Sequence, residues 1–185
     1  MLTELSLNVL DIAQNSISAK ASLIEICVNV SEEKDIIEIT IKDDGRGMTK
    51  EQLEQVCDPF FTTRTTRSVG LGTSFFKQAA EMSDGEFKID SEPGVGTKVF
   101  ASFKLSHIDR MPLGDISDTI HNLVIYNEGI DFIYTYTFND KSFTLNTKQI
   151  REMLGDIPFD TPDVSDFIKG YLVENKEDTD GGKII

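Results

Sequence analysis

The stretch that most constrains this chain is Asp43-Asp44-Gly45-Arg46-Gly47-Met48. It follows Ile36-Ile37-Glu38-Ile39-Thr40-Ile41-Lys42, whose β-branched residues and alternation predict a half-buried strand. Side chains alternate between the faces of a strand, so Asp43 shares a face with Ile37, Ile39 and Ile41. A carboxylate at the rim of an apolar face is costly unless hydrogen bonds are donated to it. Gly45 and Gly47 remove side chains where the backbone must turn sharply or approach a ligand closely. An adenine ring meets both demands, its exocyclic amine donating to Asp43 and its face lying on the glycine turn. Guanine would present a carbonyl there and leave both groups unpaired. Asp-Asp-Gly alone is more often a tight surface turn, so the weight comes from other segments that suit the same ligand.

Composition narrows the field. The 185 residues suit one domain with an appendage, or two small ones. The sequence has no apolar run of about 18 residues and no secretory signal before its first helix, so a cytoplasmic protein away from the membrane is expected. Cys27, in a predicted strand, and Cys57, in a loop, lack metal or redox spacing and are expected as reduced thiols. A formal charge of −14 speaks against binding nucleic acid or anionic membrane through the bulk surface. An anionic ligand would have to be met by local cations or helix N-termini.

Residues 1–19 read as a helix with Leu2, Leu5, Val9, Ile12, Ala13 and Ser16 on one face. Asn8, Asp11, Asn15 and Ser18, three or four apart, form a polar stripe on another. Short amide, carboxylate and hydroxyl groups in place of Lys and Glu suit a magnesium ion or its waters. Strands follow at 22–30 and 36–43, then a short helix at 49–56 with Thr49 as N-cap and Gln52 three residues on. Residues 58–72 lack periodicity, carry hydroxyls with Arg64 and Arg67, and end in glycines that open a helix at 71–82. Its apolar face is expected at Leu71, Phe75, Ala79 and Met82. Gly70, Gly72 and Thr73 then stand at a helix N-terminus, where unpaired amides and the dipole suit a phosphate. With strands at 86–91 and 97–105, the order argues for an α+β fold, a mostly antiparallel sheet with helices on one face.

Five of these segments, in order, resemble the Bergerat ATP-binding fold shared by gyrase, the Hsp90 chaperones, histidine kinases and MutL. Residues 7–16 resemble its N-box, Asp43 to Met48 its first glycine box, and Asp58-Pro59-Phe60-Phe61-Thr62-Thr63-Arg64 its F-box. Gly70-Leu71-Gly72-Thr73 resembles the second glycine box, and Pro93-Gly94-Val95-Gly96-Thr97 the last; the F-box and Glu92 to Thr97 look most like bacterial histidine kinases. The resemblance implies a two-layer α/β sandwich over residues 1–105 that binds ATP and Mg²⁺. It implies that Asn15 coordinates the metal and that Asp43 takes the adenine amine with Thr97 in support. Gly45, Gly47, Met48, Phe60 and Thr63 would complete the nucleotide pocket. Arg64, Gly70, Leu71, Gly72 and Thr73 would hold the phosphates, and residues 58–70 would form a lid.

The resemblance has departures. Asp11 stands where hydrolysing members place a glutamate general base and histidine kinases an asparagine, so Asp11 is a candidate base with one methylene less reach. Ser18 replaces a lysine that kinases often point at the phosphates, and Ser68 replaces a glycine. The first helix reads from Met1, which leaves no room before it for the phosphoacceptor hairpin of a histidine kinase.

Residues 106–175 read as a helix–hairpin–helix appendage: a helix at 116–126, strands at 131–138 and 142–145, a helix capped by Asn146 or Thr147, and another opened by Pro162. Residues 176–185 are expected as a disordered tail. This part more weakly resembles stand-alone ATP-binding proteins encoded near iron hydrogenases. His107 begins a loose likeness to a phosphoacceptor box but reads as a strand exit, and His121 is expected partly exposed. The appendage is expected to cover the ATPase core or to pair with a second protomer. The functional expectation is an ATP-binding signalling or regulatory protein acting on an unidentified partner protein, with a non-catalytic switch or a slow ATPase as alternatives.

Overall fold

This computed structural model describes residues 4–56, 72–155 and 157–185. The elements are α1 (Leu5–Ser18), β1 (Leu23–Ser31), β2 (Ile36–Asp43), α2 (Lys50–Val56), α3 (Gly72–Met82), β3 (Phe87–Glu92), β4 (Gly96–Lys104), α4 (Ile116–Tyr126), β5 (Asp131–Phe138), β6 (Lys141–Asn146), α5 (Thr147–Leu154) and α6 (Pro162–Asp180). The strands form one six-stranded sheet in the order β3-β4-β2-β1-β5-β6. Every pairing is antiparallel except β1 with β5. The α+β architecture and the mostly antiparallel sheet expected from the sequence are therefore present.

Alternation decides which face is covered. Ile24, Ile26, Val28 and Val30 of β1, Ile37, Ile39 and Ile41 of β2, and Phe132, Tyr134 and Tyr136 of β5 are buried beneath the helices. The opposite face is polar and wet, with Lys42 bonded to Glu25 and Thr135 to Thr144 across strands. Each fully buried large apolar side chain contributes about 1.5–3 kcal/mol, so this layer carries most of the fold's stability.

The C-terminal part is built into that sheet. Leu23 to Val30 of β1 run in parallel register with Asp131 to Phe138 of β5, and α4, which buries Ile116, Ile120, Leu123 and Val124, packs against α1. The expected cover of the ATPase core by the appendage is thus found within one chain. The β1 edge is closed, as an exposed strand edge must be.

Four expectations are corrected. Helix α3 buries Thr73, Phe76, Ala79 and Ala80, while Phe75 and Met82 are 36% and 52% exposed. The stripe is turned by one residue because Phe76 packs on the rings of Phe103 and Phe87, at 5.6 and 6.4 Å. His121 is buried between α4 and α6, its Nε2 2.9 Å from Ser165 Oγ. Asn8 is fully buried, donating to Glu4 O and Met111 Sδ, and so leaves the polar stripe. The tail expected to be disordered is helical to Asp180, whose buried carboxylate accepts from Tyr136 and pairs with Lys176 at 2.7 Å. Composition alone hid this, because the polar residues 174–180 include the groups that pin the helix end. No described helix is long and apolar enough to cross a membrane.

Candidate functional site

Asp43 ends β2 on its buried face and is 8% exposed. Its Oδ2 accepts from Ser16 Oγ at 2.6 Å and its Oδ1 from Gly45 N at 2.9 Å. Each carboxylate oxygen offers two acceptor positions, so both keep capacity for a ligand donor. Cross-strand register places Thr97 of β4 directly opposite Asp43. Ser91 receives Met48 N at 2.9 Å and donates to Gly96 O at 3.0 Å, so its contact with Thr97 at 2.9 Å must be donated by Thr97. Thr97 is left with free lone pairs beside the carboxylate.

The loop after Asp43 is held on two sides through the Arg46 backbone. Arg46 N donates to Ala19 O at the end of α1, and Gly94 N donates to Arg46 O from the β3–β4 turn. Gly47 has φ +64° and lies so close to Glu92 that a Cβ there would stand 1.9 Å from its carbonyl oxygen. Gly96 is as tight against the Asp43 carbonyl. These two glycines bring the loop and the hairpin into one wall. Asp44 faces away from the wall and is bonded by Ser22 N, Ser22 Oγ and Leu23 N. Burial pushes its carboxyl up, but these hydrogen bonds outweigh it and hold the group below the ordinary carboxylate range.

These elements line a cleft that opens to solvent. Its apolar walls are Ile12, Ala19, Met48, Val56, Ile89 and Val99; its polar groups include Asn15, Ser16, Asp43, Arg46, Thr73 and Thr97. A largely apolar cleft with a few convergent polar groups, one of them a buried carboxylate, is the general form of a small-molecule site. The Asn15 side chain has no hydrogen-bond partner among the described residues, which leaves its amide oxygen free for a ligand.

Asp11 lies one turn before Asn15. It is partly buried and unpaired among the described residues, and burial raises its carboxyl above the ordinary aspartate value. Gly72, at the start of α3, comes so close that a Cβ there would be 2.6 Å from Asp11 Cβ. Gly72 therefore lets the α3 N-terminus sit against α1, putting Thr73 on the cleft wall and Asp11 at its margin.

The structure brings together Asp11, Asn15, Asp43, Gly45, Gly47, Met48, Gly72, Thr73 and Thr97 from four separate segments. Phe60, Thr63, Arg64, Gly70 and Leu71, and the lid at 58–70, lie outside the described residues. Sequence reasoning missed Ser16, read only as part of the apolar face, and Arg46, the one cation on the wall among the described residues. Ser16 was legible in principle, since a hydroxyl on an apolar helix stripe needs an acceptor across the interface. His107 stands beyond the end of β4 opposite Thr97, in a turn where its Nδ1 accepts from Asp109 N.

Fold and site together define a two-layer protein with an open cleft, a buried aspartate at its back and two glycine turns in its wall. Residues 1–107 match the family described as histidine kinase-, DNA gyrase B- and HSP90-like ATPase, and the chain belongs to it. The chain is 32% identical over 96 residues to the sensor protein DegM of Bacillus sp. (strain B21-2), covering 52% of this chain and 26% of that protein. It is 32% identical over 88 residues to sporulation kinase C of Bacillus subtilis, covering 48% and 20%. It thus spans about a quarter or less of these two relatives. Among solved structures, the N-terminal domain of a DNA repair protein is similar in fold, with a TM-score of 0.54 and 16% identity over 84% of this chain and 58% of that one.

Proposed function

We propose that the chain binds ATP with Mg²⁺ and acts as a signalling or regulatory protein on a partner protein. The observation that carries this is Asp43: a buried carboxylate, held by Ser16 and Gly45, with acceptor capacity turned into an apolar slot opposite Thr97. It accepts the adenine amine, and the slot walls take the ring. Asn15 supports a Mg²⁺ assignment because its unpartnered amide oxygen is a hard ligand of the kind the ion takes singly. Bound there, the ion would offset phosphate charge in a protein of net charge −14. Thr73 and the α3 N-terminus face the phosphate end, which Phe60, Thr63, Arg64, Gly70 and Leu71 are proposed to complete.

One observation favours a second reading, that of a slow ATPase. Burial of Asp11 raises its proton affinity, which suits a base that takes a proton from an attacking water. Calorimetry with ATP and GTP, with and without Mg²⁺, tests the binding. ATP is expected to bind at least about tenfold more tightly than GTP, since an unmatched buried acceptor costs about 1–3 kcal/mol. Equal binding sinks the adenine assignment. Terminally labelled ATP then separates the outcomes: label on a second protein marks a kinase, free phosphate an ATPase, and neither a switch.

A further inference from the structure

Helix α6 has two faces of different kind. Val164, Ile168 and Leu172 are buried against the sheet layer. The outer face carries Asp163, Asp166, Glu174, Glu177 and Asp178, all exposed and none with a salt-bridge partner among the described residues. The cations of the same helix are engaged elsewhere, Lys169 with Asp118 at 3.1 Å and Lys176 with the buried Asp180 at 2.7 Å. Glu174, Glu177 and Asp178 recur at spacings of three and four residues in the C-terminal half, where the helix dipole also repels anions. Among the described residues only weak contacts offset this row: Lys169 attracts Asp166, and Lys141 Nζ donates to the Asp178 carbonyl at 3.3 Å.

Apolar groups are set into the row. Phe167 is 57% exposed and Val173 is 37% exposed. Phe167 is held in place: its ring is 6.4 Å from Tyr171, whose ring is 6.2 Å from the buried Phe143 and whose hydroxyl donates to Thr144 O at 3.1 Å. Gly170 leaves an open notch beside it, where a Cβ would meet no atom within 4 Å. A solvated helix face normally pairs Glu with Lys. A fixed aromatic anchor and a notch, ringed by anions that form no salt bridge among the described residues, match the physics of a protein-docking surface. The sign of the charge opposes nucleic acid and anionic lipid.

We propose that the outer face of α6 docks a basic amphipathic segment of a partner protein, its cations along the acidic row and its apolar side chains against Phe167 and Val173. From Asp163 to Asp178 the row is about 22 Å long, room for about four turns of a partner helix. The proposal is independent of the nucleotide reading, because the surface is on α6 and its test uses no nucleotide.

The test is fluorescence anisotropy of the full chain with a labelled Leu/Lys amphipathic peptide of about 18 residues at physiological ionic strength. Phe167→Ala is expected to weaken binding about fivefold or more, and Glu174→Lys with Glu177→Lys about tenfold or more. The same charge change elsewhere, Glu33→Lys with Glu54→Lys, should alter binding less than about twofold. Circular dichroism confirms that each variant is folded, as substitutions of exposed residues should be. Absence of peptide binding overturns the proposal. So does an equal loss in the Glu33/Glu54 variant, which would mark attraction to net charge alone. Unchanged binding in Phe167→Ala overturns it as well, by removing the anchor.

Discussion

The buried polar groups at the two ends of the sheet are organised to opposite ends. Around β2 and β4, Ser16 bonds Asp43 and Ser91 bonds Thr97, and Asp43 and Thr97 keep acceptor capacity beside an open cleft. Around β5 and α6, Tyr136, Asp180 and Lys176 bond each other in the interior, and Thr147 accepts from Phe132 N at 2.8 Å. The first set is left incomplete at the cleft, whereas the second is closed and fixes the chain. A buried polar network marks a binding site only where part of its capacity points into space. One truncation and four substitutions test that difference.

The largest effect is expected from a fragment ending at Leu105. It loses the β5 pairing along the length of β1 and the α4 cover of α1. Several core side chains then meet water at about 1.5–3 kcal/mol each, against a total stability of about 5–15 kcal/mol for a small domain. The fragment should be insoluble or lack a cooperative thermal transition. A fragment that folds and binds ATP with full-length affinity would make the C-terminal half a mere addition.

Gly47→Ala comes next and strikes the open end alone. The backbone there has φ +64° and no room before the Glu92 carbonyl, so loop and hairpin must separate. A loss of about 1–3 kcal/mol of stability is expected, with ATP binding lost to calorimetry. A variant with normal affinity would show that the wall is not part of the site.

A matched pair sharpens the comparison. Ser16→Ala removes a 2.6 Å hydrogen bond to Asp43, and Tyr136→Phe removes a 2.9 Å hydrogen bond to Asp180. Both bonds go to carboxylates and are worth about 1.5–3 kcal/mol. Tyr136→Phe should lose stability in urea titration and keep ATP affinity. Ser16→Ala should also weaken ATP binding, by about threefold to tenfold, because Asp43 is then free to turn from the slot. Equal profiles for the two variants would erase the distinction.

These differences bear on what the sequence made legible. Alternating Ile at 37, 39 and 41 and the glycine turn after Asp43 announced β2 and the turn that walls the candidate site, because period and turn chemistry are local. The capping pair Thr49 and Gln52 was equally local and is formed, with reciprocal bonds at 2.9 and 3.3 Å. The rotation of α3 was not local. Which of Phe75 and Phe76 turns inward depends on Phe103 and Phe87, more than ten residues away in sequence. The burial of Asp180 and His121 was hidden for the same reason, since a polar residue declares its partner only when the fold supplies one. Ser16 belongs with them, its acceptor lying 27 residues on.

The smallest effect on stability is expected at Asp11, where two physical forces compete. Partial burial beside Gly72 penalises the ionised carboxyl, while the nearby α3 N-terminus favours it. Burial prevails, so the folded value lies above the unfolded one and the folded state binds the proton more tightly. Such a group costs nothing below the ordinary aspartate value. Its cost appears as pH rises from that value through the raised one, and it persists at neutral pH. Asp11→Asn removes the titration. The variant should be slightly more stable than the parent at neutral pH, with the gap closing in acid, as followed by urea titration across that window. The exposed part of the side chain keeps the gap small. In the same variant any ATP hydrolysis should disappear while ATP affinity changes little, because the amide fills the space but cannot take a proton from water. A variant less stable at neutral pH would mean that the helix dipole outweighs burial and that the carboxyl is held ionised and weakly basic. That result would remove the reason for preferring Asp11 as a base and leave the cleft as a binding site alone.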